Sequence, residues 1–220
     1  ASLPNANRPE KIGKPNESLY GVRFFGDKLY LVTFETIDPL YVLDLSNPED
    51  PIIAGELTVP GFSDFLHPVN DDLLLGLGVD EQGSVKLELF NVGDMNAPYS
   101  LGTHILGDGK WSHSEARYNR HAFTYQQYDD STDRFAVPVT VYREESDGYS
   151  RQNRLYMLEL VGKDSPAVAS IEEIGHITTE NTNSSGPHRS VFDGDAVYFI
   201  DGTSTYSALW SNPLEQGGPF

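Results

Sequence analysis

The chain has 220 residues, with 33 acidic against 15 basic side chains and a formal net charge of −18. So acidic a surface is a poor match for nucleic acid or an anionic membrane, so no nucleic-acid partner is expected. There is no cysteine, which excludes disulfide frameworks, thiolate metal sites and cysteine nucleophiles, and the apolar runs are too short for a spanning helix, so no direct membrane insertion is expected.

The elements read as strands and turns from the N-terminus onward. "RPEKIGKP" carries Pro9 and Gly13 and is predicted, over residues 8–15, as an isolated outer strand. A first unit, 19–60, follows: "VRFF", a Gly26-Asp27 turn, "KLYLVTF", then "LDLSNPEDPIIAG" with Asp44, Pro51 and Gly55. The second, 62–107, repeats this: "FLHPV", Asn70-Asp71, "DLLLGLG", then "LFNVGDMNAPYSLG" with Asn91, Pro98 and Gly102. The third, 113–178, has "EARY", a predicted hairpin at Asn119-Arg120, and "HAFTY". It continues with a strand "RFAVPVTVY", a polar loop "REESDGYSRQN", and "LELVGKDSPAVAS" with Glu159, Pro166 and Ser170. The polar stretch "TTENTNSSGPH" leads to the fourth, 188–220: "SVFD", Gly194-Asp195, "AVYFID" and "TYSALW".

Gly, Asn and Asp supply the positive φ angles that tight hairpins need, and the joined segments are rich in strand-forming Val, Tyr, Phe and Leu. In three units a polar residue ends a strand and a proline follows seven residues on, where sheets tolerate an edge strand's entry. A period of roughly 45–50 residues with four strands each is the size of a propeller blade. The fold class is therefore all-β: a β-propeller of four-stranded antiparallel blades, about four in this chain. A β-sandwich does not predict the recurring spacing. Two closures are open. Residues 8–15 complete the last blade, or "NPLEQGGPF", with Pro213 and Gly217, starts that blade's own outer strand. In the second case the chain is a segment of a larger propeller and associates with a second propeller segment.

The run "GDKLYLVTF", "DPLYVLDLSNP", "GELTVPGFSDFLHP" and "LLLGLG", with "SEARYNRHAFTY" and "FAVPV" downstream, resembles the bacterial and archaeal secreted proteins with a C-terminal β-propeller domain distantly related to WD40 repeats. The resemblance covers most of residues 19–142. It implies an extracytoplasmic location (secreted, periplasmic or cell-surface) and no particular activity.

The innermost strands of a propeller line its channel, so side chains of different blades can converge there. His67, His113, Glu115 and His188 are predicted at such positions, with His113 and Glu115 two residues apart on one strand face. Such a set suits a transition metal, copper or zinc. For calcium, the acidic loops "YDDSTD" (Asp129, Asp130, Asp133) and "VDEQG" (Asp80, Glu81) offer oxygen ligands without an EF-hand pattern. Trp111, His121 and Tyr149 are the candidates for contact with a partner, whereas Trp210 reads as core. Neither a G-x-S-x-G elbow nor a phosphate-binding loop occurs. The favoured function is a binding or scaffold module for a protein or glycan, rather than an enzyme. The alternatives are a metal-binding protein or metal-dependent enzyme using the histidines, and a glycosidase-like hydrolase using Glu115 with Asp64.

Overall fold

A computed structural model describes residues 2–9, 11–13, 18–34, 38–107, 111–145, 148–179 and 186–220. The side chains of Phe34, Asp38, Glu145 and Tyr149 fall outside the described set. The chain is all-β, in four antiparallel sheets of four principal strands each. Sheet 1 holds β1 (Ser18–Phe25), β2 (Lys28–Phe34), β3 (Asp38–Asp44) and β4 (Ile52–Val59). Sheet 2 holds β5 (Phe62–Pro68), β6 (Leu73–Val79), β7 (Val85–Asn91) and β8 (Tyr99–Ile105). Sheet 3 holds β10 (Thr124–Gln127), β11 (Thr132–Glu145), β12 (Gly148–Val161) and β13 (Ser170–Thr178), with the short β9 (Ser112–His113) on the far end of β11. Sheet 4 holds β14 (His188–Asp193), β15 (Ala196–Asp201), β16 (Ser204–Leu209) and β17 (Asn212–Gly217). Within each sheet, strands pair in chain order.

The turns explain this regularity. Gly26 and Gly194 take φ of 58° and 61° in the β1–β2 and β14–β15 hairpins, a conformation that costs glycine little. The Asp beside each turn then anchors the end of the third strand. The Leu45 N–H donates to the Asp27 carbonyl, Val92 to Asp72 and Trp210 to Asp195, each at 2.7 Å.

By compactness the chain divides into a first unit, Ala1–Glu81 with Leu87–Thr103, and a second, Gln82–Lys86 with His104–Phe220. In the first, Tyr30, Val32, Leu40 and Val42 of sheet 1 bury against Leu66, Leu74, Phe90 and Val92 of sheet 2. The opposite face of sheet 1 carries Leu31, Tyr41 and Leu43, with Leu3 and Ile12 packed on it. In the second, Ala136, Leu155, Met157 and Ile177 of sheet 3 bury against Val197, Phe199, Tyr206 and Ala208 of sheet 4. Each such large side chain contributes about 1.5–3 kcal/mol on burial, so these face-to-face cores hold the sheets together.

The structure departs from the sequence reading in four places. The segment after β9 is not a hairpin: it forms two 3-10 turns, η1 (Glu115–Arg117) and η2 (Arg120–Ala122). Ser114 accepts from the Ala116 N–H, and Asn119 from the His121 N–H, and such side-chain caps compete with a strand ladder. His113 and Glu115 are therefore not on one strand, and the inner strand of sheet 3 is β10. The polar stretch after Tyr142 continues as ladder, with Arg143 opposite Ser150 and Tyr142 opposite Arg151, so the "loop" is the far end of a long hairpin. The edge of β16 pairs with β17, and the described residues of 8–15 form no strand; instead Arg8 forms a bidentate pair with Asp50 at 2.6 Å. Finally, β13 starts four residues after Pro166 and Glu159 lies inside β12, so the glycine matching Gly55 is Gly175 and not the residue at Ser170. Gly55 follows the register shift between Val42 and Leu43, Gly175 that between Met157 and Leu158. Among the described residues, no helix is long and apolar enough to cross a membrane.

Candidate functional site

The second unit contains a cavity of about 350 Å³ lined by His113, Glu115, Tyr118, Thr140, Tyr142, Arg151, Gly186, Pro187 and His188. Its floor follows from the two capped 3-10 turns, which carry Glu115 away from the β9 ladder and toward β14. There the Glu115 carboxylate accepts the Asn119 amide at 2.5 Å, the His188 backbone N–H at 2.8 Å and the Arg189 guanidinium at 2.8 Å. Burial pushes the Glu115 carboxyl up, but the His188 N–H, the Arg189 hydrogen bond and charge, and the Asn119 amide outweigh it and hold it below the usual carboxylate value. Glu115 is thus a fixed anion.

His188 stands between two carboxylates. Its Nδ1 lies 4.0 Å from Glu115 and its Nε2 lies 3.2 Å from Asp201, and the ring packs on Phe199 with centroids 5.8 Å apart. The Nε2–Asp201 approach is close but not aligned as a hydrogen bond. Asp201 is fully buried. It accepts the Asn153 amide at 3.1 and 3.2 Å, and Asn153 in turn accepts the Thr140 hydroxyl at 2.8 Å. A buried polar chain thus runs from the Thr140 wall, through β12, to the far side of His188. Satisfied networks of this kind rigidify what they surround.

The opposite wall is aromatic. His113 Nε2 meets the Tyr118 hydroxyl at 3.1 Å. The Trp111 indole tilts against the Tyr142 ring, centroids 4.3 Å apart, and is 56% exposed. Gly83, at φ of 81°, makes room for it: a Cβ there would lie 2.7 Å from Trp111 Cδ1.

Of the residues singled out in the sequence, His113, Glu115 and His188 share this cavity, and Trp111, not itself a lining residue, packs against the lining Tyr142. His67 lies in β5 of the first unit, stacked on Phe65 with centroids 6.4 Å apart, and does not line the cavity. His121 is exposed in η2, outside the lining, and the Tyr149 side chain is outside the described residues. Asp64 belongs to the first unit. Among the described residues, no group of three or more histidines and carboxylates is placed to hold a metal ion. In the acidic loop, Asp129 accepts from the Ser131 and Thr132 N–H groups at 2.8 and 2.7 Å, and Asp133 is buried against Lys163 and the Tyr125 hydroxyl. The residues the sequence did not flag are Tyr118, Thr140, Tyr142, Arg151, Asn153, Arg189 and Asp201. Only Arg189, next to His188, carried a local hint.

The profile of the family described as "Beta propeller domain" matches residues 2–212. An uncharacterized protein of Methanocaldococcus jannaschii is 43% identical over 111 residues, 50% of this chain and 17% of that one. An uncharacterized protein of Archaeoglobus fulgidus is 48% identical over 108 residues, 49% of this chain and 17% of that one. The matched region is thus a small part of much longer relatives. Among solved structures, the N-terminal domain of Nup159 aligns over 90% of this chain and 62% of its own at 14% identity, with a TM-score of 0.33, too low to support any further comparison.

Proposed function

Because the chain belongs to the beta propeller domain family, we propose that it is a non-catalytic binding module whose ligand, a carbohydrate, sits in the cavity of the second unit. The observation that supports this reading is the exposed Trp111 indole tilted against Tyr142, a half-buried residue that lines a polar cavity. An aromatic face suits the apolar face of a sugar ring, while a few fixed polar groups orient its hydroxyls. Arg151, His113 and the Tyr118 hydroxyl line the same space, and the capped Glu115 and buried Asp201 supply the rigid backing. The module works outside the cytoplasm, the location implied by its resemblance to secreted propeller proteins.

The second reading, a copper or zinc site, draws on His113, Glu115 and His188 sharing one cavity. The guanidinium 2.8 Å from Glu115 opposes a cation there, which favours the sugar. A hydrolase is less well supported, since a general acid needs a raised pKa and Glu115 is held below its ordinary value.

A glycan array followed by calorimetry on the tightest hit tests the proposal. Trp111→Ala and Arg151→Ala are each expected to weaken binding at least about tenfold with the thermal transition unchanged. An array without hits, or affinity that survives both changes, refutes it. A stoichiometric transition metal in tag-free protein, lost on His113→Ala, favours the second reading instead.

A further inference from the structure

Sheet 4 has one face buried and one bare. Val197, Phe199, Tyr206 and Ala208 pack into the core with sheet 3. On the other side, Val191, Tyr198 and Ser207 are aligned across three strands, with Ala196 opposite Leu209 beside them. Directly opposed residues share a face. Val191, Tyr198 and Leu209 are 50%, 38% and 43% exposed, an apolar stripe on an otherwise acidic molecule.

The equivalent face of sheet 1 shows what belongs there. Tyr30 stands three residues past the Asp27 turn residue, as Tyr198 stands three past Asp195. Tyr30 is 1% exposed, buried with Val32, Leu40 and Val42 against sheet 2. Its phenol is pushed up to about 12 by that burial and then by Asp71, Asp27 and Asp72.

A second contact recurs at the outer strands of sheets 1 and 3, whereas Gly102 in the outer strand of sheet 2 has nothing within 4 Å. In the first unit, a Cβ on Gly55 would collide with the Met95 carbonyl and meet Pro98 Cδ at 2.9 Å, the chain just before β8. In the second, a Cβ on Gly175 would meet Pro213 Cγ at 2.7 Å, at the start of β17. In both, a glycine after a register shift in one sheet's outer strand receives the proline that opens the next sheet's outer strand. Gly217 is the next in this series. It stands opposite Ser207, directly after the register shift between Ser207 and Leu209. Among the described residues, the nearest atoms to a Cβ there belong to no proline but to Ser207 Oγ at 2.9 Å and the Phe220 ring at 3.3 Å. Instead, a cavity of about 360 Å³ opens over Tyr198, Ser207, Leu209 and Gly217.

We infer that the bare face of sheet 4 docks a further four-stranded propeller blade, whose outer strand opens with a proline seated at Gly217. The stripe at Val191, Tyr198 and Leu209 takes that blade's apolar face, as Tyr30 and Val42 take sheet 2. The much longer relatives have chain enough for such a blade. The opposite face of sheet 1, with Leu31, Tyr41 and Leu43, is already occupied by Leu3 and Ile12, which disfavours a second copy of this chain as the occupant.

The test uses a synthetic peptide of residues 91–102, the segment that fills the Gly55 notch, titrated into the isotope-labelled chain and followed by NMR. Saturable shifts are expected at Tyr198, Ser207 and Gly217. They should be weakened at least about tenfold by Gly217→Val, which fills the notch, and by exchanging the peptide's proline for aspartate. Since Gly217→Val could disturb β17, Leu209→Glu on the open face serves as the second variant and should abolish the shifts with the spectrum otherwise retained. No shifts at saturating peptide, or shifts that survive Leu209→Glu, overturn the inference. So does a concentration-dependent dimer that Leu209→Glu dissolves and the peptide does not, which would assign the face to a second copy.

Discussion

Glu173 provides a direct probe of how the second unit is held together. Its strand, β13, carries a register shift between the pairs Met157–Gly175 and Leu158–Glu173, with Ile174 as the extra residue. In a regular strand, residues three apart face opposite sides; the bulge turns Glu173 and His176 to the same one. His176 Nδ1 lies 3.5 Å from one carboxylate oxygen, and His104 Nε2 lies 3.2 Å from the other. The His104 and then the His176 hydrogen bond outweigh burial and bring the Glu173 carboxyl down from 4.5 to about 2. That difference is worth roughly 3 kcal/mol at full strength. The side chain is 31% exposed, and solvent screening reduces this to about 1–2 kcal/mol. Folding lowers the value, so the contribution is complete above the unfolded value near 4.5 and disappears as pH falls through about 2. Glu173→Gln removes the charge at nearly constant volume. Urea unfolding at a series of pH values, followed by tryptophan fluorescence, reads the right part of the molecule, because both tryptophans, Trp111 and Trp210, lie in the second unit. The variant should be less stable by about 1–2 kcal/mol near pH 5, with the gap closing toward pH 2. A gap of constant size across that range, or none at pH 5, would refute the electrostatic account.

Two further substitutions probe the packing. Gly175→Ala should destabilise the second unit by about 1–3 kcal/mol through overpacking against Pro213. Gly148→Ala, with open space around it but φ of 146°, should cost only backbone strain, about 1 kcal/mol. Calorimetry reads both variants, and a Gly175→Ala protein as stable as the parent would argue against the glycine–proline contact. Lys163→Met removes the cation from the buried Asp133, which keeps the Tyr125 hydroxyl, and should cost about 3 kcal/mol at neutral pH. Asp133→Asn made on top of it should recover part of that loss in chemical denaturation; no recovery would mean that Lys163 acts through packing of its stem.

Much of the architecture was legible because it is written locally. Gly26-Asp27 and Gly194-Asp195 announce their hairpins through the φ angles they permit, and the alternating Val, Tyr and Leu beside them specify strands. The proline spacing was legible too, but it misled where a loop changed length: Ser170 stands at the counted position, whereas Gly175 makes the contact. The site was harder. "SHSEARYNRHA" has enough strand character to suggest a hairpin, and the caps at Ser114 and Asn119 that fold it otherwise are weak signals against that background. His113, Glu115 and His188 were found as residue types, although the strand geometry argued for them was wrong for Glu115. Asp201, Asn153 and Thr140 were invisible, since they meet across three strands.

Strand, turn and repeat therefore follow from the order of residues alone, because period-2 burial and turn chemistry depend on neighbours in sequence. Which imidazole meets which carboxylate, where a bulge turns Glu173 toward His176, and which glycine receives a proline depend on register and on sheet stacking. Those are set by contacts dozens of residues apart, where a shift of one position reverses every side chain, and only the folded chain decides them.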